Sequence, residues 1–175
     1  YNEAMKAEKL LSISPLDGRY SESVVDLRSV TSEFGLIKFR VIVEIKWFIH
    51  LSKLSNVREL PKLTIKEISY LNDLIDNFSL KDAQKVKNIE KRTNHDVKAV
   101  EYFLRDEFKK FGKLGMYSEF IHFACTSEDI NNLSYSLMLQ RFLTDEFLPK
   151  INSLQKNLNL LAKKYANISL LAFTH

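Results

Sequence analysis

From residue 126 to about residue 166 the chain keeps a helical hydrophobic rhythm, marked imperfectly by Ile130, Leu133, Leu137, Gln140, Arg141, Leu148, Ile151, Leu154, Leu158 and Leu161. A helix of that length runs about 60 Å at 1.5 Å per residue, far more than a small domain needs. Helices this long need long neighbours to cover their apolar stripe, and these 175 residues supply no second helix of matching length. A stripe left bare marks an association surface. Pro149 falls inside the pattern and should bend it, because proline lacks an N–H and crowds the preceding turn.

The rest of the chain also reads as helix. Gly (4) and Pro (3) are scarce and no alternating strand pattern occurs, which points away from β sandwiches and toward an all-α fold. After an irregular first 20 residues with a turn over residues 14–18, Thr31 or Ser32 can cap a helix to about Ser55. Leu36, Phe39, Val43, Trp47, Leu51 and Leu54 form its stripe. Ile37, Val41, Ile45, Phe48 and Ile49 widen that face, so the helix should be largely buried, with Arg40 and Glu44 able to pair four apart. A second helix starts at Pro61 and Thr64, with Ile65, Ile68, Leu71, Leu74 and Ile75 inward. A polar helix spans residues 79–91, and a fourth spans 96–111 with Val97, Val100, Leu104 and Phe108 inward. Gly112 and Gly115 punctuate the chain, so an N-terminal helical domain is expected over residues 1–117. The start of a bundle domain follows over 118–175.

Charge and cysteine content narrow the function classes. The net charge is +4, but Lys and Arg alternate with Asp and Glu, which describes a solvated surface and not a nucleic-acid stripe. The single cysteine, Cys125, excludes an internal disulfide and fits a reducing compartment. It ends an apolar run, so it reads as a packed small residue before an activated thiolate. The four histidines lack metal-ligand spacing. No stretch is apolar enough to span a membrane and no signal peptide is evident, so a cytoplasmic location is expected. Both ends look cut, with Tyr1 at one and His175 at the other.

Three polar clusters carry chemistry. Asp17-Gly18-Arg19-Tyr20 offers a guanidinium fork and a phenol in a turn; alone it is an ordinary surface turn. Arg92-Thr93-Asn94-His95-Asp96 contains Thr93-x-x-Asp96, a capping-box-like start with His95 at its mouth; alone it is a cap beside a solvated imidazole. Thr126-Ser127-Glu128-Asp129 is another such start, a cap worth about 1 kcal/mol on the plain reading. Helix starts present N–H groups with partial positive charge, so two of them with hydroxyl, amide and imidazole groups nearby suit a polyanion. Thr174-His175 adds a proton donor suited to neutral pH. His50 and His122 sit among apolar residues and read as structural. No glycine-rich phosphate loop is present.

Three motifs carry a resemblance. Ser14-Pro15-Leu16-Asp17-Gly18-Arg19-Tyr20, Thr93-Asn94-His95-Asp96-Val97-Lys98-Ala99-Val100-Glu101-Tyr102 and the run from Ser118 through Thr126-Ser127-Glu128-Asp129 to Leu133 resemble, in order, the bacterial adenylosuccinate lyase family of the fumarase/aspartase superfamily. The resemblance covers essentially the whole chain and the two longer motifs are highly specific. It implies an N-terminal helical domain followed by the first long helix of a truncated fumarase/aspartase bundle. It implies elimination of fumarate from adenylosuccinate, giving AMP, and from the succinyl-carboxamide ribotide of purine synthesis. By the same resemblance Arg19, Tyr20, Asn94, His95, Asp96, Thr126 and Ser127 bind substrate and His175 is the general acid. The family's base, a serine on a mobile loop, has no counterpart in this chain. Phe173 stands where bacterial members usually carry arginine. The implied partners are purine nucleotides and three further copies in a homotetramer with shared sites, with no cofactor, metal, nucleic acid or membrane. A sister lyase acting on another succinyl adduct and an inactive structural homologue, such as a lens crystallin, are the alternatives.

Overall fold

The computed structural model describes residues 10–169 and residue 171. His175, the expected acid, lies outside the described residues, as do Phe173 and Thr174. Among the described residues every regular element is helical.

Helix α1 (Glu33–Leu51) is the centre of the packing. Ser32 caps it, its hydroxyl accepting the Gly35 N–H at 3.2 Å. Gly35 is required there, since a Cβ would stand 2.3 Å from the Val30 carbonyl oxygen of the preceding helical turn. The expected wide apolar face is found: Ile37, Val41, Ile45, Phe48 and Ile49 are all buried, while Leu36, Trp47 and Leu54 are only half-buried. The helix stops at Leu51, four residues before the expected end, and Ser52 begins a series of turns.

Helix α2 (Ile65–Asp76) opens with a full capping box between Thr64 and Glu67. Leu71 and Ile75 are buried as expected, but Ile65 is 88% exposed, because the first helical position lies beyond the reach of the packed face. Helix α3 (Leu80–Thr93) starts at Ser79, whose N–H and hydroxyl both donate to the Asp82 carboxylate, at 3.1 and 2.6 Å. Helix α4 (Asp96–Phe108) buries Val97, Val100, Leu104 and Phe108 in line with the sequence pattern, and ends three residues early. Aromatic contacts lock the group: Phe48 meets Phe108 edge-on at 4.9 Å, and Tyr70 stacks on Phe111 at 4.3 Å.

A 3-10 stretch (Leu114–Phe120) leads to α5 (Ser127–Arg141). The expected single long helix is interrupted: a π-helical segment (Phe142–Phe147) separates α5 from α6 (Leu148–Tyr165). It ends two residues before Pro149, whose missing N–H disturbs the α ladder of the preceding turn. Only the first turns of α5 are covered. Ile130 packs with Val43 and Val97, and Ser134 is the last buried residue. Residues 147–169 are exposed throughout. No helix of the described residues is long and apolar enough to cross a membrane.

Candidate functional site

Two charged side chains one turn apart on α1, Arg40 and Glu44, are 5% and 0% exposed. Charges are buried only when partners replace water. The expected pairing between them does not form. The α1 face carrying them is covered by other elements, and each finds its partner there. Arg40 donates from Nη2 to the Asp96 carboxylate at 2.6 Å and from Nε to the Asn131 side-chain oxygen at 2.9 Å. Glu44 bonds His122 Nδ1 at 2.6 Å. Arg40 thereby ties the start of α4 to the second turn of α5, linking the elements that carry the second and third polar clusters.

The second cluster is built differently from the expected Thr93-x-x-Asp96 box. Thr93 is the last residue of α3 and donates its hydroxyl back to the Ile89 carbonyl at 3.3 Å. Asn94 closes α3 in the left-handed conformation, φ 50°, which asparagine tolerates. The extended residue before α4 is then His95, and its Nδ1 accepts the Lys98 N–H at 3.2 Å. With Nδ1 accepting a backbone N–H, Nε2 is the ring's remaining polar atom. The ring is half exposed, leaving Nε2 available to a ligand. Burial pushes the Asp96 carboxyl up, but the Val97 N–H and the charge and hydrogen bond of Arg40 outweigh it and leave the group below its ordinary value.

The third cluster forms the expected box. Asp129 takes the Thr126 N–H at 2.7 Å and the Thr126 hydroxyl at 2.9 Å, and these bonds hold its carboxyl below the ordinary value. The Thr126 hydroxyl is thus spent inside the cap. Ser127, half-buried at the first helical position, has no side-chain bond among the described residues, which leaves its hydroxyl beside the N–H groups of the helix start.

Ahead of this start, His122 (φ 62°) and Ala124 (φ 58°) are both left-handed, a costly conformation for residues with a Cβ. Trp47 Nε1 donates to the Phe123 carbonyl between them at 2.9 Å. Burial, then the negative charges of Glu44 and Asp129, push the Cys125 thiol up, which agrees with a packed residue and not an activated thiolate.

The first cluster stays apart. Ser14 O accepts the Asp17 and Gly18 N–H groups at 3.1 and 3.0 Å, forming the expected turn. The Arg19 guanidinium lies over the Tyr20 ring at 5.5 Å. Both residues line an open pocket of their own with Pro15 and Glu22, and no hydrogen bond or ion pair among the described residues joins them to the α4 and α5 starts. Sequence reading paired Arg40 with Glu44 and gave neither a place in the site, and it missed the polar role of His122. Two charges set inside an otherwise apolar helix face were the signal that could have found them.

A family model described as Lyase matches residues 18–175, and the chain belongs to that lyase family. Within it, the chain is 46% identical over 171 residues to the adenylosuccinate lyases of Haemophilus influenzae and Escherichia coli, and 45% identical over 174 residues to that of Buchnera aphidicola subsp. Schizaphis graminum. Each comparison covers 98% of this chain, and the chain spans 38% of the length of these relatives. The resemblance read from the three motifs is borne out, together with the all-α fold of the fumarase/aspartase type.

Proposed function

We propose that the whole protein carrying this chain is an adenylosuccinate lyase, eliminating fumarate from adenylosuccinate to give AMP and from the succinyl-carboxamide ribotide of purine synthesis. One observation carries the reading furthest: buried Arg40 bonds Asp96 at the start of α4 and Asn131 in α5, which favours His95 and Ser127 acting as one anion-attracting surface. The substrates carry two carboxylates and a phosphate, which suits such a surface. Asn94, His95, Asp96 and Ser127 bind one part of the substrate, with Thr126 contributing through the helix start that it caps; Arg19 and Tyr20 bind another from their separate turn. In the elimination a base takes the proton beside a carboxylate and that C–H pair forms the new double bond. The C–N pair leaves on nitrogen, which takes a proton from His175. The base comes from a part of the enzyme not in this chain.

The reading includes a division of the chain at about residue 117 and a cytoplasmic homotetramer in which the bare α6 face enters a shared bundle. Fumarate release by the purified whole protein, followed by absorbance, tests it. Adenylosuccinate should be cleaved, and His175→Ala should cut turnover by about 10²–10⁴-fold with much less change in substrate binding. Release from argininosuccinate or aspartate instead would move the protein to a sister activity. No release from any of the three favours an inactive homologue.

A further inference from the structure

The buried Glu44–His122 contact is used neither by the helix starts nor by the proposed chemistry. Glu44 is 0% exposed, one of its oxygens has no partner, and the other makes the carboxylate's hydrogen bond to His122 Nδ1. A buried carboxylate held by one bond is costly to release, because breaking that bond strands its charge. On the other side of the contact is a segment that needs holding. His122 and Ala124 are left-handed without being glycine, and only three residues separate His122 from the cap residue Thr126.

We propose that the Glu44–His122 pair is a positioning latch that holds residues 122–125 in their left-handed path and so sets where Thr126 and Ser127 are presented to the substrate. The identity of that substrate rests on the function proposed above; the latch itself does not. His122 is a positioning residue, acting through the loop and not on the reacting atoms.

The surroundings favour the charged ring. From α1 it faces Glu44; from α4 it faces Glu101 and Lys98, which pair with each other at 2.7 Å; from α5 it feels Asp129. The hydrogen bond to Glu44 raises the His122 imidazole above its ordinary value against the opposing effect of burial. A group raised in this way contributes fully below the ordinary histidine range, and its contribution fades as pH rises through the raised value. The latch therefore loosens on the alkaline side.

The experiment compares the whole protein with Glu44→Gln, which keeps the volume and removes the charge. Histidine ring titration by NMR should place His122 above the ordinary range in the parent, with that elevation lost in the variant. Amide exchange over residues 122–126 should quicken roughly ten-fold. AMP should bind roughly ten-fold more weakly to the variant, and binding by the parent should weaken as pH rises through the His122 titration. Adding Ala124→Gly to Glu44→Gln should recover part of the lost affinity, because glycine accepts the left-handed conformation without the latch. Unchanged exchange with His122 still titrating high in the variant overturns the proposal. So does an affinity loss that ignores pH and is not recovered by Ala124→Gly, since that is the mark of a merely structural core residue. A parent that does not bind AMP contradicts the proposed function, and the titration and exchange results then decide the latch alone.

Discussion

Leu71 in α2 and Leu158 in α6 are the same residue in the same conformation, 0% and 56% exposed. The difference lies in their neighbours. Helices α1 to α4 share one core in which Phe48, Leu71, Leu104 and Phe108 meet. The arm formed by the π segment and α6 meets the rest of the molecule mainly where it continues from α5 and near residues 25–27, where Lys150 stands 3.9 Å from Asp26. Its local supports are surface pairs, Arg141 with Asp145 and Lys150 with Glu146, both at 3.0 Å and four apart, plus Lys163 and Lys164 at the C-terminal end of the helix dipole. Such pairs contribute about 0.2–0.5 kcal/mol each, whereas burying one leucine contributes about 1.5–3 kcal/mol. Helical conformation and helical burial are therefore separable here. The first four helices have both; the arm has the first alone and carries a leucine stripe suited to an association face.

A matched pair of side-chain truncations tests this separation most strongly. In the 175-residue chain, Phe48→Ala should cost about 3–5 kcal/mol by urea unfolding, while Leu158→Ala should stay within about 0.5 kcal/mol. In the whole protein, where the arm is proposed to be covered, Leu158→Ala should rise to about 2–5 kcal/mol. Equal, small effects in both settings would mean that the arm stays bare.

Association comes next in size. Light scattering of the 175-residue chain at micromolar concentration should show self-association, and Leu154→Lys combined with Leu158→Lys should disperse it, each leucine contributing about 1.5–3 kcal/mol when covered. A clean monomer of the parent chain would show that bare leucines do not make this arm adhesive.

The smallest effect concerns the junction between the two regions. Arg40→Met should destabilise by about 1–2 kcal/mol, less than a fully buried charged hydrogen bond because Asp96 is half exposed. Since the Asp96 carboxyl is held below its ordinary value, the Arg40 contribution is present above the ordinary aspartate range and lost as pH falls through the depressed value. Acid unfolding curves of parent and variant should converge there; a constant gap at every pH would assign the loss to packing of the Arg40 stem.

The apolar spacing over α1 and α4 was legible because burial on a helix repeats every three to four residues, and Val97, Val100, Leu104 and Phe108 follow it. The Thr126–Asp129 box was legible because both partners lie within four residues. The second cluster shows where local reading fails. Thr93 and His95 can each cap a helix, and the choice fell to His95 because α3 extends through Thr93 and Asn94 turns left-handed. A one-residue ambiguity of this kind is decided by how α3 and α4 must cross, which adjacent residue types do not encode.

Local sequence was enough for the helices, for caps such as those at Thr64 and Thr126, and for the stripe that leaves α6 in need of a cover, since these depend on residues within a few positions of one another. Only the tertiary structure decided that Arg40 reaches Asp96 and Asn131, 56 and 91 residues away, and that Glu44 turns to His122, 78 residues away, instead of to Arg40. The physical reason is desolvation. Once α1 is buried, each charge on it must take a partner from the elements that covered it, and which elements those are is a property of the fold.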